Sequence, residues 1–158
     1  MLRPAWYRLI AGPAAVLATL ALAACSGGSG GSGEDSSRPQ IDERWVQVCE
    51  QPLPPGQGLP ATTQRFQTAD DGLAEMERLA RAGDLKGARD VFFSQTHGLT
   101  HDIDGPLRTA NPPVARELCA VIAQIEADFA SARDGEVMAA LAVRARDLMR
   151  QSSTLLGY

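Results

Sequence analysis

From Asp70 to the C-terminus, apolar residues recur every three or four positions, the spacing of one face of an α-helix. The first stripe runs through Leu73, Met76, Leu79 and Ala80, behind a cap at Asp70 or Asp71. Ala82-Gly83-Asp84 then stops that helix and caps the next. The second stripe, from about Leu85 to Leu107, takes in Ala88, Phe92, Leu99 and Ile103. Asn111-Pro112-Pro113 ends it and opens a third, with Asn111 as N-cap and proline in the first turn. That third stripe is Val114, Leu118, Val121, Ile122, Ile125 and Phe129. After the turn at Arg133-Asp134-Gly135, a fourth carries Val137, Leu141, Ala145, Leu148, Ser152 and Leu155. The pattern predicts an all-α domain, an antiparallel four-helix bundle made of two helical hairpins over residues 70–158.

The stretch before it follows a different rule. Gln51 to Thr63 holds four prolines and two glycines, which excludes a helix interior or a central strand and reads as a strap. Ile41 to Glu50 is half apolar and fits a helical turn or a strand-like arm. Residues 41–69 are thus an N-terminal arm and a Pro-rich strap. Cys49 lies on the arm. Cys119 lies on the flank of the third stripe, with Glu126 near it on the same flank. A Cys49–Cys119 bridge, with Trp45 packed beside it, would clamp the arm across a helix groove; two buried free thiols are the alternative.

Residues 26–40, SGGSGGSGEDSSRPQ, are apolar-poor and read as a flexible tether with a reach of roughly 20 Å. Upstream, an apolar run starts near Leu9 and ends in Leu22-Ala23-Ala24-Cys25, with Arg3 and Arg8 before it. The run is about 14 residues, within the range of a signal peptide and short for a membrane span. Residues 1–25 resemble the lipobox signals of bacterial prolipoproteins. The resemblance implies a diacylglyceryl thioether on Cys25, loss of residues 1–24, and a lipid anchor on the extracytoplasmic face of a cell membrane or outer membrane. Two or three acyl chains suffice for stable anchoring. In such a compartment the two remaining cysteines are expected to pair.

The precursor's net charge is −4, and losing Arg3 and Arg8 with residues 1–24 takes the mature chain to −6. An acidic domain is a poor match for nucleic acid, which needs a basic face. The membrane is therefore reached through the lipid on Cys25, and an envelope protein is the expected kind of partner.

One cluster carries candidate chemistry. The chain's two histidines, His97 and His101, lie four apart, and Asp104 follows. On a helix these three fall within about 60° of arc. Two imidazoles and a carboxylate form an incomplete transition-metal site suited to zinc, copper, iron or nickel. Completing it needs a group from the strap, from a second molecule, or from Glu43 or Glu50 in the arm. The face lies about 150° from the apolar stripe, so it meets solvent, another subunit or the strap. Phe93 shares that face and wants a cover. The alternative reading is two solvated histidines hydrogen-bonded to nearby aspartates.

Other chemistries find little support. Gly98 follows His97, so the glutamate base of an H-E-x-x-H metalloprotease is missing. No nucleophile elbow surrounds Ser94, and no C-x-x-C-H motif is present for haem. Met76, Met138 and Met149 read as core filler. Catalytic residues are not expected, and the chain is read as a non-enzyme.

Residues 71–134 resemble the periplasmic helical domains attached to bacterial iron permeases. The likeness rests on the Ala-Gly-Asp turn, the Ala88…Phe92-Phe93 run and Gln124-Ile125-Glu126-Ala127-Asp128-Phe129. It implies a non-enzymatic helical module near a metal transporter and assigns no ligands. Two functional expectations follow. The first is a membrane-anchored binding or accessory module without a cofactor. The second is a transition-metal-binding lipoprotein linked to iron or copper uptake or handling.

Overall fold

The computed structural model describes residues 39–131 and 133–158. The signal segment 1–24, the lipidation site Cys25 and the tether up to residue 38 lie outside the described residues. What is described is all-helical. No helix among the described residues is long and apolar enough to cross a membrane.

The arm forms a helical turn, α1 (Glu43–Val48), capped by Asp42, whose carboxylate accepts the Arg44 N–H. Six residues are too few for a helix to persist unaided, and none of them is buried. The anchor is the disulfide that follows. Cys49 is bonded to Cys119, with Cα atoms 5.8 Å apart, and both cysteines are buried. Trp45 packs beside the bridge, as the clamp reading expects, and Ile41 and Leu53 join it there.

Helix α2 (Thr63–Arg81) begins seven residues earlier than the periodicity from Asp70 suggests. Its cap is Thr62, in extended conformation, whose hydroxyl accepts the Arg65 N–H at 3.2 Å. Phe66 and Ala69 extend the buried stripe of Leu73, Met76 and Ala80 backwards. Asp70, far from capping anything, sits mid-helix and receives Arg146 and Arg150 from the last helix. The strap accordingly ends at residue 62 instead of 69.

Gly83, at φ +79°, closes α2, and Asp84 caps α3 (Leu85–Val91) by accepting the Gly87 N–H. The expected second helix is interrupted. After α3 comes a π-helical turn, Phe92–Thr96, and then α4 (His97–Ala110). The turn packs against α2. The Thr96 hydroxyl donates to the Ala69 carbonyl at 3.3 Å, and a Cβ on Gly72 would stand 2.8 Å from the Gln95 Cβ. Gly72 thus lets the widened turn press against the α2 backbone. Phe92, Thr96 and Thr100 point inward and are buried, which leaves Phe93, His97 and His101 together on the next face.

Asn111 caps α5 (Pro112–Ser131) by accepting the Val114 N–H at 3.2 Å, as its position before two prolines predicts. Asp134 caps α6 (Gly135–Leu156). The α6 stripe is corrected at both ends: Val137 and Leu155 are exposed, and Met138, Ala142 and Met149 fill the interior. A helix packed on several neighbours buries a face broader than the single line drawn through the sequence. Helix α2 packs against α6, and α5 packs against both α4 and α6, around one apolar cluster that includes all three of Met76, Met138 and Met149.

Candidate metal centre

Of the three neighbours expected for the histidine face, the structure supplies the strap. The Leu53 N–H donates to Asp104 Oδ2 at 2.9 Å, and the Gly58 N–H donates to Asp102 Oδ1 at 2.9 Å. Between these two points the Pro54 carbonyl lies 3.0 Å from His101 Nδ1. A carbonyl only accepts, so Nδ1 carries the proton and Nε2 of neutral His101 presents a bare lone pair.

That lone pair is not isolated. His101 Nε2 lies 3.2 Å from His97 Nε2, and His97 Nε2 lies 2.9 Å from Glu126 Oε1. The three ligand atoms lie within 4.8 Å of one another, and all three residues are partly buried. In a tetrahedral site with bonds of about 2.0–2.1 Å, ligand atoms stand about 3.3–3.4 Å apart. The His97–His101 edge, at 3.2 Å, is close to that spacing, and the His97–Glu126 edge, at 2.9 Å, is shorter.

The proton count points the same way. His97 Nε2 carries at most one proton, yet it faces two acceptors, the Glu126 carboxylate and the His101 lone pair. One proton cannot satisfy both with good geometry. A divalent cation would take all three lone pairs at once. Beside the site, the His97 ring packs on Phe93 and Phe92, at centroid separations of 5.0 and 5.8 Å. Phe93 in turn lies under Arg89 and near Phe129, yet it stays 39% exposed, so the cover is only partial.

Asp104 is not in the cluster. It is 4% exposed and accepts from the Leu53 N–H and from Arg108 Nε, the latter at 2.8 Å. An arginine at i+4 and an unpaired strap amide capture the carboxylate and turn it from the imidazoles. Among the described residues neither Glu43 nor Glu50 joins the group, and Glu50 pairs with Arg116 at 3.1 Å. Ser94 donates to the Asp90 carbonyl at 2.7 Å and is no part of a triad with His101 and Asp104. No family model, curated protein or solved structure matches this chain.

The carboxylate that does converge, Glu126, was visible only as a flank residue of α5. One signal pointed to it. Helices α4 and α5 fold back on one another at Asn111. His97 and Glu126 lie about equally far from that residue along the chain, so at about 1.5 Å rise per residue they end level.

Proposed function

We propose that this chain is a lipid-anchored, extracytoplasmic, non-catalytic domain, an antiparallel bundle of four helices, that binds a divalent transition-metal ion at His97, His101 and Glu126. The observation that carries the metal reading is the convergence of two imidazole Nε2 atoms and a carboxylate oxygen within 4.8 Å of one another. The lipobox-like segment ending at Cys25 supports the anchor, and the Cys49–Cys119 bridge supports an oxidising compartment. Three protein ligands leave coordination positions open to water or to a donor from outside, as in an accessory module that receives or passes on an ion. Interaction with an envelope protein belongs to the same reading.

Isothermal titration with Zn²⁺ tests it. One zinc per chain is expected, with a Kd on the order of micromolar. At 100-fold excess over Kd the ion should add about 2.7 kcal/mol of stability. The double substitution His97→Ala/His101→Ala should abolish both effects while the apo protein keeps its helical content, since neither ring belongs to the apolar core. Glu126→Gln should weaken binding without abolishing it. Absence of heat and of any melting shift with zinc, copper, nickel or iron refutes the metal reading.

A further inference from the structure

Strap and site are mechanically joined. Cys49 fixes the start of the strap through its bridge to Cys119. Arg108 Nη2 donates to the Cys49 carbonyl at 2.9 Å and to the Gln51 carbonyl at 2.8 Å, and its Nε holds Asp104. Asp104 accepts the Leu53 N–H, one residue before the carbonyl that meets His101. Pro52, Pro54 and Pro55 restrict the backbone here and bring no competing N–H. Beyond them Gly56 approaches α4 so closely that a Cβ would lie 2.9 Å from the His101 Cβ and 2.4 Å from Asp102 Oδ1.

We propose that the strap is the outer shell of the metal site: the Asp104–Arg108 pair and Gly56 seat it so that the Pro54 carbonyl holds His101 in the tautomer whose Nε2 is free to bind. This inference rests on the metal reading for its consequence, though not for its geometry. Asp104 is then a positioning residue. It touches no ligand atom and acts on His101 through Leu53 and Pro54. Such outer-shell hydrogen bonds fix a histidine's tautomer and ring orientation, and their loss typically costs about 10–100-fold in metal affinity.

Two substitutions loosen the seat in different ways. Asp104→Asn keeps the shape but replaces the charged oxygen that accepts from both Leu53 and Arg108 by a weaker, neutral acceptor. Gly56→Ala leaves that pair alone and pushes the strap off α4. The tautomer of each imidazole is read by long-range ¹⁵N–¹H correlation in the full-length protein in detergent, where only two histidines contribute. Zinc affinity is measured on the same samples.

Wild type should show His101 protonated on Nδ1. In both variants that population should fall, and the zinc Kd should rise about 10-fold or more. If zinc binds wild type and either folded variant keeps both tautomer and affinity, the inference is overturned. A shift in tautomer with unchanged zinc affinity also overturns it. If zinc fails to bind wild type, the metal reading falls, and the tautomer comparison alone still decides whether the strap positions His101. If Asp104→Asn does not fold, Gly56→Ala, at a half-buried strap residue outside the helices, carries the test.

Discussion

Reducing the Cys49–Cys119 bridge should cost a large part of the stability of this domain and should release the arm first. The cysteines are 70 positions apart, and the chain-entropy relation for a loop of that length gives about 4 kcal/mol at 25 °C. Domains of this size are stable by only about 5–15 kcal/mol. At about 3–5 °C per kcal/mol, the melting temperature should drop by about 12–20 °C. The loss should be uneven along the chain. Once reduced, α1 keeps the contacts of Ile41, Trp45 and Leu53, the Asp42 N–H bond to Gln124 at 3.1 Å, and an exposed Glu50–Arg116 pair. An exposed pair contributes about 0–1 kcal/mol, and ordering each arm residue costs about 1–2 kcal/mol in backbone entropy. Trp45 is the only tryptophan after residue 24, so its fluorescence follows the arm while far-ultraviolet circular dichroism follows the helices. Urea titration of the oxidised protein should give coincident transitions. After reduction both midpoints should fall, with fluorescence leading, and the slope m should rise because the unfolded chain is no longer tied into a loop. A stability change under about 1 kcal/mol with both probes still coincident would refute the reasoning, since the loop term alone exceeds it.

Two further outcomes are expected. Burial pushes the Asp70 carboxyl up, but hydrogen bonds from Arg150 and Arg146 together outweigh it, so its pKa lies below the ordinary aspartate value. Its stabilising share is complete above the unfolded value of about 3.9 and disappears as pH falls through the lower folded value. Asp70→Asn should therefore cost on the order of 1 kcal/mol at neutral pH, since Arg150 is solvent-exposed and its pairing is screened, and should flatten the acid limb of melting temperature against pH; parallel curves for the two proteins would exclude this role. Cys25→Ser should abolish labelling by a radioactive fatty acid and release the protein or leave it unprocessed. A mature N-terminus anywhere but residue 25 in the wild type would contradict the lipobox reading.

Local signals were legible along the chain because they act over a few bonds. Asp84 and Asn111 cap the helices they precede, and Gly83 stops α2 with a left-handed residue. Stripe spacing marked the long helices and most of the buried positions. His97 and His101 meet because four residues make one helical turn, and no packing is needed to bring them together. Thr62 was also local, and it was missed because Asp70 and Asp71 offer the same capping chemistry further on.

What depended on other elements was not legible. The π turn at Phe92–Thr96 packs on Gly72 and Ala69 of a neighbouring helix, contacts that no local pattern announces. The third ligand follows from α4 and α5 folding back at Asn111, which brings Glu126 level with His97 across the fold. Asp104 shares an arc with the histidines by helical arithmetic, yet a strap amide and Arg108 compete for the same carboxylate and win it. Local geometry sets which side chains share a face. Only the packed structure decides which partner each reaches, because a polar group binds the nearest complementary group that burial leaves unsatisfied.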